Sequence, residues 1–168
     1  YDFDWYVRFY QASGNVSDET MQDLWAKLLA GEVSKPSTYS FKTIDVLRNL
    51  SKKDAELFQR VCSYSFCNAN QIPILPRYDD YLEKYNIAYS DILKLSEQGL
   101  IFNDGTIGQS VNITEESKIL FWDTETVMTI KSSDGKDTKA YIHEYPFTQV
   151  GAEISTLVSV NVSDEKYI

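Results

Sequence analysis

The segment V-S-D-E-T-M-Q-D-L-W-A-K-L-L-A-G-E-V, residues 16–33, constrains the fold more than any other stretch of the chain. Met21, Leu24, Trp25, Leu28 and Leu29 recur at i, i+3, i+4, i+7 and i+8, a spacing that gathers them on one apolar helix face. Ser17 reads as the N-cap, Asp18 and Glu19 sit where the positive end of the helix dipole favours acid, and Gly31 stands where a left-handed terminating residue is wanted. Val16 and Met21 are placed for a hydrophobic staple, while Thr20 leaves the capping box incomplete. The apolar face must be covered by the flanking segments. The polar edge of Asp23, Lys27 and Glu32 reads as solvated surface, and it is where a function of this helix would lie.

Its neighbours read as further helices. Residues 2–12 carry Phe3, Trp5, Tyr6, Phe9 and Tyr10 at mixed helical spacing, an aromatic cluster that docks against the first full helix. After S-K-P-S-T-Y, Ser40 starts a helix in which Phe41, Ile44, Leu47 and Leu50 repeat at three-residue steps. Ser51 with Asp54 caps the next, which turns Leu57, Phe58, Val61 and Cys62 inward. N-A-N-Q-I-P-I-L-P, residues 68–76, holds two prolines and polar breakers and reads as a boundary. Beyond it, residues 79–85 and 90–98 read as helices, the second ended by Gly99 and followed by an extended Leu100-Ile101-Phe102 and a turn at Asn103-Asp104-Gly105. Residues 119–122, 126–131 and 141–145 are rich in β-branched and aromatic residues and read as strands, with Ser133-Asp134-Gly135 as a hairpin signal between the last two. Residues 148–158 form a closing helix with Gly151 as a local weakness. The expected fold class is α+β. A helical subdomain (1–67), a linker (68–78) and a winged-helix-like subdomain with a small antiparallel sheet (79–168) are expected, able to form one compact unit.

Composition narrows the class. With 43% hydrophobic and 14% aromatic content in 168 residues, the chain is a folded domain and not a disordered tail. No uncharged, unbroken run approaches the roughly 18 residues of a membrane span, and Y-D-F-D-W-Y is no signal peptide. A cytoplasmic location without membrane contact is expected, and the start on Tyr1 points to a piece of a longer protein. Cys62 and Cys67, in a segment that reads as helix, lie roughly 140° apart around its axis at 100° per residue, so reduced thiols are expected and a disulfide is not. Only His143 could join them in a zinc site. Charge is uneven: residues 1–70 hold 8 Lys and Arg against 9 Asp and Glu, whereas residues 71–168 hold 8 against 16, or −1 and −8. The second half repels phosphate at long range.

No constellation of catalytic residues emerges. The pairs Asp18-Glu19, Asp79-Asp80, Glu115-Glu116 and Asp164-Glu165 are sequence-adjacent, on helix starts or loops, and read as capping or solvated surface. His143 lies in Y-I-H-E-Y, sharing a strand face with Tyr141 and Tyr145 and without a nucleophilic partner. Gly105 and Gly108 open no phosphate-cradling loop, and no acidic loop has the ligand spacing of a calcium site. The chain is therefore expected to be no enzyme and to use no metal or cofactor.

The run Y-S-D-I-L-K-L-S-E-Q-G-L-I followed by strands resembles the passage from the third helix of a winged helix into its wing. DNA-binding winged helices need a basic exposed face on that helix, and here Lys94 stands against Asp91 and Glu97. The longer pattern D-F-D-W-Y-V-R-F-Y-Q-A-S-G-N-V-S-D-E-T-M-Q-D-L-W-A-K-L-L-A-G-E-V, Pro36, Y-S-F-K-T and L-S-K-K-D-A-E-L-F resembles the bacterial domain-of-unknown-function family 2806, strongly over residues 2–67 and more weakly beyond. That resemblance implies a bacterial, cytoplasmic accessory domain with no activity or catalytic residues to carry over. Segments similar to L-W-A-K-L-L-A-G-E also occur in proteins linked to phage exclusion. Two functions are in view. One is a non-catalytic interaction or regulatory module that binds a protein partner or a second copy of itself. The other is a nucleic-acid-binding winged helix, disfavoured by the acidic charge, which would need a basic face built from Lys42, Arg48, Lys52, Lys53 and Arg60.

Overall fold

A computed structural model describes residues 2–67, 71–113, 116–120, 127–131 and 136–160. Helix α1 (Phe3–Ser13) starts on Asp2, whose carboxylate accepts from the N–H groups of Asp4 and Trp5, and buries Trp5 and Phe9. The ring of Phe9 lies 5.5 Å from Trp25 of α2 (Glu19–Ser34), so the two aromatic-bearing helices meet as their spacing implies. Asp18, not Ser17, caps α2, accepting from Met21 N–H at 3.2 Å. Either residue type caps well, and the carboxylate adds an ion pair to Lys52 at 3.2 Å. That one-residue shift moves Val16 and Met21 out of staple positions. Gly31 does not end the helix either. A Cβ on it would lie 2.7 Å from the Tyr39 ring, so its lack of a side chain serves close packing in the last turn of the helix. The left-handed residue comes later, at Ser37 (φ 67°).

Helices α3 (Phe41–Asn49) and α4 (Lys52–Ser63) begin on Ser40 and on the Ser51–Asp54 capping box, as expected. Leu57, Phe58, Val61 and Cys62 are all buried, and burial pushes the Cys62 thiol well up from its ordinary pKa. Cys67 is not helical but lies in strand β1 (Phe66–Cys67), and both thiols are free. The expected linker 68–78 holds a buried strand, β2 (Pro73–Pro76), while residues 68–70 lie outside the described set. Proline is tolerated where its missing N–H is not needed, at the start of a strand, and here Pro73 and Pro76 bracket a buried Ile74-Leu75.

Next come α5 (Asp79–Lys84), α6 (Tyr89–Glu97), β3 (Gly108–Ile113), β4 (Glu116–Leu120), β5 (Val127–Lys131), β6 (Thr138–Pro146) and α7 (Gln149–Ser155). One antiparallel sheet has the order β1-β2-β6-β3, and β4 pairs with β5 in a second. The expected pairing of the 126–131 strand with the 141–145 strand is not made: β6 lies between β2 and β3. Ser133-Asp134-Gly135 and Trp122 lie outside the described residues. Strand β3, G-Q-S-V-N-I, has little intrinsic strand character, and β6 supplies the register that holds it, with Gly108 opposite His143 and Ser110 opposite Tyr141. Buried apolar residues from Trp5 to Leu157 form one core cluster, into which α7 inserts Val150 and Ile154 against α3 and α4. The architecture is mixed α+β, and no helix among the described residues is long and apolar enough to cross a membrane.

Candidate functional site

Helix α6 turns Ile92 and Leu95 into the core and leaves Tyr89, Leu93, Lys94 and Glu97 exposed. Gly99, at φ +75°, ends it, and Leu100 and Ile101 drop back into the core while Phe102 stays 51% exposed. Asn103 Nδ2 donates to Tyr89 Oη at 3.3 Å, tying this loop to the start of α6. Tyr89 and Leu93, one turn apart, share an exposed face of α6, and the Asn103 bond holds the loop that carries Phe102 to the start of that helix.

The surface continues through a charged link. Asp104 accepts from Thr106 Oγ1 (2.7 Å) and N–H (2.9 Å), and these bonds, with the Arg77 guanidinium nearby, hold its carboxyl below the usual range. Arg77 places one terminal nitrogen 3.0 Å from His143 Nδ1 and its guanidinium carbon 5.8 Å from the Tyr145 ring centre. Its Nε is buried and has no hydrogen-bond partner among the described residues. The Tyr145 phenol is pushed up from its ordinary pKa by burial, against the pull of Arg77, with Tyr89 and Asp79 also near. The His143 ring stands edge-on to Tyr141 (5.0 Å, 72°) and to Tyr78 (6.3 Å, 80°). Tyr141 lies over Gly108, where a Cβ would come 2.5 Å from its ring. Of the face expected for Tyr141, His143 and Tyr145, the first two are exposed as expected. Tyr145 is buried, because β6 enters the core between β2 and β3.

The other candidates are dispersed. Of the proposed basic set, Lys52 is paired with Asp18, Arg60 contacts Asp91 of α6 at 3.6 Å, and Lys42, Arg48 and Lys53 are exposed on α3 and α4. Asp23 and Lys27 form an exposed pair at 2.7 Å. Glu32, expected with them on solvated surface, is instead 2% exposed. It lies nine residues beyond Asp23 and faces the 35–40 loop, accepting the N–H groups of Ser37, Thr38 and Tyr39 at 2.6, 3.1 and 3.0 Å. Glu153 of α7 completes the same device: it accepts from Ser40 N–H at 2.8 Å, Ser40 Oγ at 3.1 Å and the Thr43 hydroxyl. The two carboxylates line a cleft of about 280 Å³ with Asp2, Trp5 and Phe41. Nothing in the sequence singled out Glu153, since its partners lie more than a hundred residues away.

Asp79 and Asp80 occupy the first turn of α5, where the helix dipole favours them. Glu115, Asp164 and Glu165 lie outside the described residues, and the Glu116 side chain is likewise not described. Among the described residues no group of three His, Cys, Asp or Glu side chains is placed to hold a metal ion.

Fold and surface define a mixed α+β domain that exposes Tyr89 on α6, Phe102 after it and Tyr141 on β6. The family model described as "Protein of unknown function (DUF2806)" matches residues 1–168, and the chain belongs to that family. The likeness strongest over residues 2–67 thus extends along the whole chain. Comparison with curated proteins and with solved structures gave no match.

Proposed function

We propose that the chain is a non-catalytic protein-interaction module, its second half a winged helix, serving as a regulatory part of a bacterial cytoplasmic protein. The element order supports the winged-helix reading: with β1 and the β4–β5 pair set aside, α4, β2, α5, α6, β3 and β6 run helix, strand, helix, helix, strand, strand, so the unit would begin before residue 79, and β6 lies between the other two strands. The observation that carries the binding preference is the outer face of α6. A DNA-reading winged helix lays that face in the major groove and lines it with basic and amide side chains. Here it presents Tyr89 (60% exposed) and Leu93 (40%) beside Phe102, and its Lys94 is offset by Glu97. Exposed aromatic and aliphatic side chains on a rigid element are what protein interfaces bury at their centres.

The test is parallel affinity capture from the host with the wild-type chain, Leu93→Asp and Lys53→Glu, analysed for protein and nucleic acid. The reading expects a protein retained by wild type and Lys53→Glu and lost with Leu93→Asp. Salt-sensitive nucleic acid as the captured species, lost with Lys53→Glu and kept with Leu93→Asp, would overturn it.

A further inference from the structure

Helix α1 is apolar on two sides. Trp5 and Phe9 face the core, where Trp5 Nε1 donates to the Tyr39 carbonyl at 2.9 Å and the Phe9 ring meets Trp25. At about 100° per residue, Val7 lies opposite the midpoint of that pair, with Phe3 and Tyr10 beside it. The spacing of residues 2–12 predicts that Phe3 and Tyr10 dock with the other rings, yet they are 78% and 65% exposed, and Val7 is 37% exposed. Phe3, Val7, Tyr10 and Gly14 follow one another at four, three and four residues, the spacing of a coiled-coil seam. Gly14, the C-cap, keeps right-handed helical angles (φ −63°, ψ −16°), so the row runs the length of the helix. The row is also rigid, since Asp2 caps the helix and the Tyr10 ring stands edge-on to buried Phe9 at 5.5 Å. A helix that is apolar all round belongs under cover on its outer face too.

Size, charge and area decide what covers it. Two copies laid antiparallel pair Phe3 with Gly14 of the second copy and Val7 with its Tyr10, so every layer sets a bulky side chain against a smaller one. A parallel pair would stack Phe3 on Phe3 and leave two glycines facing a gap. Gly14 is not required by its own chain's packing, because a Cβ there would touch the Tyr10 carbonyl oxygen at an ordinary 3.4 Å. The antiparallel arrangement also sets Asp4 beside Gln11 of the second copy and opposes the two helix dipoles. Arg8, the only basic residue of α1, is drawn aside by Asp45 at 3.6 Å and by the Phe41 ring, 4.8 Å from its centre. A polyanion or an anionic lipid surface therefore finds no basic rim on this helix. Residues 1–70, which carry α1, hold −1 against −8 for residues 71–168, so two copies meeting here bring little like charge together. At about 200 Å² for each aromatic side chain, Phe3 and Tyr10 leave about 300 Å² uncovered. Val7 extends this towards the roughly 450 Å² of apolar surface that each partner brings to a standard interface.

We infer that α1 is a self-association face, on which a second copy of this chain docks antiparallel along Phe3, Val7, Tyr10 and Gly14. It is separate from the α6 face, and neither surface depends on the other. The test is sedimentation velocity of the full chain between about 1 and about 500 µM, the range in which an interface of this size is populated. A reversible monomer–dimer equilibrium is expected, with a dissociation constant on the order of tens of micromolar. Val7→Asp, which buries a carboxylate in the seam, weakens it at least about tenfold, and Leu93→Asp leaves it unchanged. Orientation is read by exchanging sizes. Gly14→Leu crowds Phe3 of the second copy and weakens the dimer at least about fivefold, and adding Phe3→Ala to it brings the constant back to within about threefold of wild type. Variants are compared only where circular dichroism and melting match wild type. Should Val7→Asp unfold, Phe3→Ser, at the most exposed position of the row, takes its place. A chain that stays monomeric across the range, a dimer indifferent to the seam variant, a dimer lost with Leu93→Asp, or a Gly14→Leu defect that Phe3→Ala does not relieve would each overturn the inference. If Leu93-dependent protein capture survives a monomeric result, the interaction-module reading stands without it.

Discussion

Glu32 is a carboxylate that organises a loop. Its oxygens receive three consecutive backbone N–H groups of residues 37–39, and Glu153 receives the next one, at Ser40, which in turn caps α3. Removing Glu32 strands the buried Tyr39 N–H, at about 1–3 kcal/mol for an unpaired donor, and the half-buried N–H groups of Ser37 and Thr38 at less. Glu32→Ala is therefore expected to lower unfolding stability by about 3 kcal/mol in urea titration, whereas exposed Asp23→Ala changes it by no more than about 0.5 kcal/mol. Gly151 reverses a general rule. Alanine is usually favoured over glycine in a helix by about 1 kcal/mol, but a Cβ here would lie 1.9 Å from the Leu100 carbonyl oxygen. Gly151→Ala should destabilise by about 3 kcal/mol through overpacking against backbone, and the same titration reads it. Sequence reasoning took Gly151 for a weakness and Glu32 for surface. Both errors have one cause: which atoms lie opposite is settled by segments far along the chain, Leu100 for one and the 37–39 turn for the other.

Glu144 gives a pH signature at the same scale. Burial raises its carboxyl above the ordinary 4.5, against the hydrogen bond from Gln109 that lowers it. A carboxyl with a raised folded-state pKa binds more protons folded than unfolded, so its contribution to stability falls as pH rises from about 4.5 through the raised value. Glu144→Gln keeps the acceptor for Gln109 and removes the charge. Its melting temperature should exceed wild type at pH 7.5, and the difference should vanish below pH 4.5; an equal difference at both would rule this origin out.

At the scale of elements, helices were legible because their signals are local. The Ser40 cap, the Ser51–Asp54 box and the 3.6-residue spacing of Leu57, Phe58, Val61 and Cys62 need only neighbours in sequence, and each appears where its residues stand. Strands were not legible to the same degree. P-I-L-P reads as a breaker yet is buried between β1 and β6, and G-Q-S-V-N-I has only Val111 and Ile113 as strand formers yet pairs along six residues of β6. The candidate surface shares that limit. Leu93 and Phe102 are visible as apolar residues in sequence, but their exposure follows from Ile92, Leu95, Leu100 and Ile101 filling the core. Because Leu93 is 40% exposed, Leu93→Asp should leave the melting temperature within about 2 °C of wild type while abolishing partner capture. Arg60→Ala tests the α4–α6 ion pair, which is half solvated and spans 3.6 Å; its removal should cost less than about 1 kcal/mol.

Over the whole molecule, charge and aromatic exposure tell the same story. The half carrying α6 and β6 holds 16 acids against 8 bases, while among its described residues Tyr89 of α6, Phe102 and Tyr141 of β6 expose their rings. That combination disfavours a polyanion and suits a protein surface, and the basic side chains expected of a nucleic-acid face are spread over α3 and α4, two of them in ion pairs. The most direct measurement is photo-crosslinking in the host with a benzophenone amino acid at position 93, compared with position 53. A discrete protein adduct at 93 and none at 53 is the predicted result. Adducts to nucleic acid at 93, or protein adducts of equal yield at both positions, would contradict a protein-binding face on α6.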